Sequence, residues 1–275
     1  LKQMRHFTQL TNLTVKHLRI KDASVAELLI QILESNATTL LHVRFWSCIL
    51  FDNAAFSAIQ QALNHLHLQT YHWMDTQLHS LPYALKLGTC VSHYPALTDC
   101  DLSEFTFRIP SPVAWNMEEM MQDLDVMIHS MAQLTQLHHL ALDDIHDQRI
   151  LAQFGMLPIR RLRISCYQIP LDVLCDMFLD IPQVESLEFI NLTVEDEEMP
   201  LLEATLSKLT ALHTLIWDCF NSTPIAIQFV RAMMKLPRIR VLRVKIKMDI
   251  EVVPEMKMWL EQTGLVEFQV RSAKQ

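Results

Sequence analysis

The stretch LHHLALDDI, residues 137–145, decides the fold, because its apolar residues stand at the first, fourth, sixth and ninth positions. The same spacing recurs in VESLEFINL at 184–192 and in LHTLIWDCF at 212–220. The fourth and sixth positions are large and apolar in each copy, which is the two-residue spacing of a strand with one buried face. The three copies therefore predict three similar strands, each followed by a turn.

Weaker copies extend this pattern along the whole chain. Taking the sixth position as a marker, successive copies are separated by 25, 28, 29, 40, 22, 25, 28, 27 and 26 residues. Amphipathic segments with helical spacing lie between several copies, at 24–35, 171–179, 201–209 and 225–234. Residues 1–275 thus read as a single domain of about ten irregular repeats in which strand and helix alternate. The markers are Ile20, Phe45, Trp73, Leu102, Leu142, Ile164, Phe189, Trp217, Val244 and Val270.

The chain resembles the leucine-rich repeat family over residues 8–271. Its step lengths and helical segments look most like the ribonuclease-inhibitor-like and F-box-associated branch. The resemblance implies an α/β solenoid with a parallel sheet on its concave side and helices on its convex side. The family's Asn or Cys at the ninth position is present only as Cys48, so the turns are expected to be irregular.

One step of 40 residues, between Leu102 and Leu142, departs from the regular period. It predicts an insertion at 103–131 that contains IPSP at 109–112 and a methionine-rich helical stretch. Insertions in repeat proteins map to loops, so the loop at 108–112 is a candidate binding segment. The methionines fit either an adaptable binding surface or core filling.

The third, fifth and seventh positions of each copy are predicted to point out of the concave sheet, since strand side chains alternate. The resulting map is basic and aromatic near the N-terminus, acidic in the middle and basic again further on. Such a pattern suits a protein or peptide with complementary charges, although solvated repeat faces also carry charge. The candidate partner-binding residues are His17, Arg19, Lys21, His42, Arg44, Trp46, His72, Asp99, Asp101, His139, Asp143, Arg161, Arg163, Glu188, Arg243 and Lys245.

Composition and motifs argue against most kinds of chemistry. The chain has only three glycines, Gly88, Gly155 and Gly264, whereas phosphate-cradling loops need clustered glycines. The HExxH and GxSxG motifs are absent, and imaginable pairs such as His139 with Asp143, or His72 with Asp75, are isolated. We therefore expect no enzymatic activity, no catalytic residues, no metal site and no cofactor.

Charge and hydropathy narrow the classes of partner. No stretch approaches the ~20 apolar residues of a membrane span. The net charge of −8 makes a nucleic-acid partner unlikely, and Arg243 and Lys245 mark the only serious basic segment for one.

Two features point to different compartments. None of the six cysteines forms a CxxC pair, and several occupy apolar positions, which favours reduced thiols and an intracellular, cytoplasmic or nuclear protein. Four sequons, beginning at Asn12, Asn36, Asn191 and Asn221, favour secretion.

The leading hypothesis is a protein-recognition scaffold. By resemblance, its specific version is the substrate-recognition array of an F-box-type ubiquitin-ligase adaptor, with a ligase core subunit bound through a region outside this chain. The alternative is a secreted or host-facing repeat receptor for an extracellular ligand. Residues upstream of Leu1 would distinguish an F-box from a signal peptide.

Overall fold

The structure is a computed structural model in which two compact units follow each other, Leu1–Ala141 and Leu142–Gln275. It describes residues 6–20, 23–50, 53–74, 77–78, 94, 96–102, 106–107, 134–142, 155, 157–165, 169–219, 223–236, 238–246 and 267–271. The expectation of one domain across residues 1–275 stays a prediction, and each unit is described by itself.

Parallel strands form the main sheet of the first unit. Adjacent strands pair at successive turns of the repeat, so that Leu13 lies opposite Val43, Val43 opposite Tyr71, and Tyr71 opposite Cys100. These four side chains are at most 2% exposed and fill the same layer of the core. In order across the sheet, the strands are β1 (Asn12–Lys16), β3 (His42–Trp46), β5 (Thr70–Met74), β7 (Asp99–Leu102) and β9 (His139–Leu142).

A second, smaller parallel sheet runs beside the main one in this unit. It consists of two-residue strands that follow the turns after the main strands. Helices then carry the chain to the next repeat and bury their apolar sides, as Ala26, Leu29, Ile32 and Leu33 do in the first helix. The elements are β2 (Arg19–Ile20), β4 (Ile49–Leu50), β6 (Gln77–Leu78), β8 (Thr106–Phe107), α1 (Ala23–Ser35) and α2 (Asn53–Leu63).

The second unit repeats the arrangement with five further parallel strands. Leu162, Leu187, Leu215, Leu242 and Phe268 lie opposite one another in turn. The strands are β10 (Arg161–Ser165), β11 (Ser186–Ile190), β12 (Thr214–Cys219), β13 (Val241–Ile246) and β14 (Glu267–Arg271), and the helices are α3 (Leu171–Asp180), α4 (Met199–Lys208) and α5 (Thr223–Met234). The predicted α/β class with parallel strands is confirmed.

The predicted position of the first repeat was wrong. Its strand lies at Asn12–Lys16, where Leu13 and Val15 point into the core and pair with Val43 and Phe45. Ile20, the expected marker, is buried as well, but it belongs to β2 of the smaller sheet. The sequence did not distinguish the two strands, because β1 and β2 both contain buried apolar residues.

The turns use left-handed backbone without glycine. His17, Ser47 and Asn191 have φ of 55°, 54° and 55°, each directly after a main-sheet strand. Their N–H groups donate to Trp46, Met74 and Asp218 carbonyls on the next strand, at 2.9, 3.0 and 2.7 Å. The hydrogen-bond ladder of the sheet therefore continues into the turn. The added hydrogen bond offsets the strain of a non-glycine residue at positive φ.

Large aromatic side chains fill the core of both units. Trp73 stacks on Phe45 with ring centroids 4.0 Å apart, and Trp217 lies 3.9 Å from Phe229. The indole N–H of Trp217 donates to the Leu192 carbonyl at 3.2 Å. This hydrogen bond gives the buried carbonyl oxygen in the turn a partner. Among the described residues, no helix is both long and apolar enough to cross a membrane.

Candidate functional site

The candidate site is the open face of the main sheet, which we define as the strand side chains that alternate with the buried ones. The register arranges this face into rows in the first unit. Asn12, His42, Thr70 and Asp99 form one row, and Thr14, Arg44, His72 and Asp101 form the next. The third row contains Lys16, Trp46 and Met74.

Asp99 brings two histidines from neighbouring strands together. Its Oδ1 lies 2.6 Å from His139 Nδ1 and 2.9 Å from His72 Nε2. Since an ionised carboxylate only accepts hydrogen bonds, His139 Nδ1 must carry the proton and donate it. His72 Nε2 approaches the same oxygen without the alignment of a hydrogen bond, and its side chain is only 10% exposed.

The electrostatic environment keeps Asp99 ionised. Burial alone would raise the pKa of this carboxyl group, but the hydrogen bond from His139 and the close approach of both histidine rings outweigh it. Together they hold the pKa of Asp99 well below its usual range. The cluster ties β5, β7 and β9 together on the open face.

Sequence reasoning missed this cluster although it named all three residues. It considered Asp75 and Asp143 as partners because they are close in sequence, whereas Asp99 lies 27 residues from His72 and 40 from His139. Both Asp75 and Asp143 lie outside the described residues, as do the loop at 108–112 and the insertion at 103–131 apart from β8. Only the repeat period, applied to row positions, could have found the cluster.

The cluster is poorly suited to a metal ion. Both histidine nitrogens converge on one carboxylate oxygen, whereas a metal centre needs ligand atoms spread around the ion. In the part of the chain that the structure describes, no group of three or more His, Cys, Asp or Glu side chains is placed to hold a metal.

A basic and aromatic patch occupies the first two strands. Trp46 is 44% exposed, and Lys16 Nζ from the neighbouring strand lies 4.3 Å from its ring centroid. Arg44 is exposed two residues before Trp46 on the same strand face. Of these three residues, sequence reasoning missed Lys16, because the displaced register of the first repeat assigned other residues to the face.

Two predicted members of this face lie elsewhere, and a third is not described. His17 occupies the left-handed turn after β1, and Arg19 lies in β2 of the smaller sheet. Their placement follows from the true position of the first strand, which puts Asn12, Thr14 and Lys16 on the open face. Lys21 lies outside the described residues.

His42 keeps its predicted place, and its Nδ1 lies 3.0 Å from the Thr70 hydroxyl. Asp101 lies opposite His72 in the backbone register. Both residues therefore lie in strands of the main sheet, and their role in partner binding stays a prediction.

Charges compensate one another on the second unit. Arg163 and Glu188 lie opposite each other, with Nε and Oε1 3.9 Å apart, and both are largely buried. Arg161 is exposed at the edge of the same strand. Arg243 is half-buried, and in the strand register it lies opposite Ile216 and Gln269. Lys245 lies opposite Asp218 and Arg271 in the same register. The predicted basic stripe therefore contains an internal ion pair.

The sequons differ sharply in accessibility. Asn36 is fully buried: its Oδ1 accepts from the Leu10 N–H at 2.8 Å, and its amide donates to the Phe7 and Ile32 carbonyls at 2.8 and 2.7 Å. A glycan on Asn36 would break these hydrogen bonds, so this sequon is structural. Asn12 is exposed, Asn191 is half-buried, and Asn221 lies outside the described residues.

The chain has low sequence identity to the solved structures that it is similar to. No protein-family model and no curated protein matches the chain. It is similar to internalin C2 from Listeria monocytogenes, with 15% identity and a TM-score of 0.32 over 88% of this chain and 75% of that one. It is also similar to TLR13 in its complex with ssRNA13, with 13% identity and a TM-score of 0.38 over 98% of this chain and 44% of that one.

The fold is that of an α/β leucine-rich repeat solenoid. This assignment rests on the chain's own parallel strands, their register, and the strand–turn–helix order of the repeats whose helices the structure describes. Fold alone does not fix a function, so the function has to be argued from the open face.

Proposed function

We propose that the chain is a non-enzymatic scaffold that recognises another protein through the open face of its main sheet. One observation carries the proposal: the face presents an exposed tryptophan and exposed cations on adjacent strands that the core does not need. Exposed aromatic and arginine side chains are the residues most enriched in binding hot spots.

The chemistry of the face favours binding over catalysis. Asp99, the carboxylate with the most perturbed environment on this face, is already engaged by two histidines. A general base or a nucleophile must face open space in which a substrate can approach it. The cluster instead fixes three strands, which supports a preformed recognition surface with no cofactor and no metal.

A more specific proposal is an intracellular substrate-recognition array of an F-box-type ubiquitin-ligase adaptor, of the ribonuclease-inhibitor-like branch. Its ligase core subunit would bind a region outside this chain. Buried free thiols at Cys48, Cys100 and Cys175 support a reducing compartment, and burial raises the pKa of Cys48 and Cys175.

The alternative, a secreted or host-facing receptor, is favoured by the exposed sequon at Asn12. Thiol titration of the unreduced, denatured protein separates the two versions. Six free thiols support the adaptor, and disulfides support the receptor.

Affinity capture tests the general proposal. Arg44→Glu on the first unit and Ile216→Arg on the second alter the open face, whereas Lys208→Glu alters an exposed position of α4 as a matched control. We expect at least one open-face variant to lose proteins that the wild type and Lys208→Glu retain. Identical sets of captured proteins for all four baits would overturn the proposal.

A further inference from the structure

We propose that Lys16, Arg44 and Trp46, hereafter the basic–aromatic patch, bind an acidic peptide segment of the partner protein. In this proposal, which rests on the proposed function, a carboxylate side chain of the peptide lies between the two cations. An apolar side chain of the same peptide packs on Trp46.

The patch is built on two adjacent strands with fixed register. Lys16 lies directly opposite Trp46, and Thr14 lies opposite Arg44. Adjacent strands are ~4.8 Å apart, and alternate residues of one strand are ~6.7 Å apart, so the patch matches a few residues of an extended peptide. Both Thr14 and Arg44 are exposed to solvent.

Among the described residues, neither cation of the patch has an acidic partner. Strands β1 and β3 contain no acidic residue, and neither Lys16 nor Arg44 forms an ion pair with any residue that the structure describes. The nearby carboxylate of Asp99 is engaged by His72 and His139. In the proposal, an acidic side chain of the partner supplies the complementary charge.

Trp46 gives the patch an apolar anchor. Four large apolar side chains are exposed among the described residues: Phe7, Trp46, Leu179 and Leu201. Of these, Trp46 is the member that stands on a strand of the main sheet, while the two leucines lie in helices α3 and α4. With Lys16 Nζ 4.3 Å from its ring centroid, Trp46 is still 44% exposed, and the exposed part of the ring can pack against an aliphatic or aromatic side chain.

An acidic peptide fits the patch better than a nucleic acid does. Single-strand binding surfaces combine a basic groove with several stacking aromatics, whereas this face presents one exposed tryptophan among the described residues.

Fluorescence anisotropy with a defined probe tests the proposal. The probe is a fluorescein-labelled peptide of sequence EEFEEFEE, compared with KKFKKFKK and with labelled oligothymidylate. The wild-type chain should bind the acidic peptide more tightly than the basic peptide or the oligonucleotide. Binding should weaken at high salt, because exposed charges are screened.

Variants assign the binding to the patch. Lys16→Glu combined with Arg44→Glu should weaken binding of the acidic peptide about tenfold or more, and Trp46→Ala should weaken it several-fold. Arg161→Glu is the matched control, since Arg161 is an exposed strand arginine in the second unit. Circular dichroism confirms that each variant is folded.

Three results would overturn the proposal: no binding of the acidic peptide, equal weakening by Arg161→Glu, or preferential binding of oligothymidylate. This failure is distinguishable from failure of the proposed function. If open-face variants still lose captured partners while the acidic peptide does not bind, only the partner chemistry is wrong. If neither assay depends on the open face, both proposals fall.

Discussion

At the scale of single residues, Asp99 has the clearest role. It accepts a 2.6 Å hydrogen bond from His139 and lies 2.9 Å from His72, so one side chain connects three strands of the open face. Removing its charge leaves the largely buried His72 facing a weaker acceptor. Such losses of a charged hydrogen-bond acceptor cost more than those of an exposed surface group.

Asp99→Asn should therefore destabilise the chain by about 1–3 kcal/mol, measured by urea unfolding at neutral pH. Arg160 is paired with Glu185 at 3.2 Å on the exposed surface, and Glu185→Gln serves as the control, with an expected loss of under about 1 kcal/mol. Equal losses for the two variants would contradict the organising role of Asp99.

The pH dependence of stability has a definite sign. The pKa of Asp99 is lowered in the folded chain, so its contribution is fully present above its unfolded pKa of about 3.9 and is lost as pH falls below that value. The free energy of unfolding of Asp99→Asn should accordingly fall less steeply between about pH 5 and about pH 3 than that of the wild type. Parallel pH profiles would show that Asp99 is not held ionised by the fold.

At the scale of elements, the turns after β1, β3 and β11 show how these repeats connect. His17, Ser47 and Asn191 adopt positive φ and donate their N–H groups to the next strand. The scarcity of glycine in the sequence thus reflects turns in which other residues accept the left-handed conformation. The cost is recovered through the added ladder hydrogen bond.

A substitution pair at His17 tests this account of the turn. A β-branched residue is strongly disfavoured at positive φ, so His17→Val should destabilise the chain by about 1–2 kcal/mol. His17→Gly keeps the N–H donor and removes the steric cost, so its stability should stay close to that of the wild type. Thermal unfolding measures both variants, and a Val variant as stable as the Gly variant would contradict the turn geometry.

Most of the strands and helices could be predicted from the sequence, because the buried apolar residues recur at the same spacing in each repeat. Leu187, Phe189, Leu215 and Trp217 lie where the spacing put them, opposite their equivalents in the next repeat. The prediction failed at β1 because Leu13 and Val15 compete with Leu18 and Ile20, and both sets are apolar. A strand moved by a few residues presents different side chains, which is how His17 and Arg19 replaced Lys16 on the predicted face.

Side-chain contacts between repeats were less predictable than the strands. Residue types and row positions were available for Asp99, His72 and His139, but the choice of partner depends on rotamers and distances across strands. The burial of Asn36 was hidden for the same reason, since a sequon motif carries no information on whether its amide is used inside the fold.

At the scale of the whole molecule, each unit has helices that cover the core and strand faces that carry exposed side chains. Helices and turns close the core, while the strand faces carry exposed groups that packing does not require, such as Arg44, Trp46 and Arg161. A repeat protein with preformed strands can bind a partner with little loss of backbone entropy. We therefore expect a partner to be held on the open strand faces.

Site-specific photo-cross-linking tests this claim most directly. A benzophenone amino acid is placed at Thr14 or Ile216 on the open face, and at Gln31 or Ala204 on exposed helix positions. After irradiation in a cell lysate, the account predicts that a partner is cross-linked from Thr14 or Ile216 and not from Gln31 or Ala204. Cross-linking of the same partner from the helix positions, with none from the open face, would contradict it.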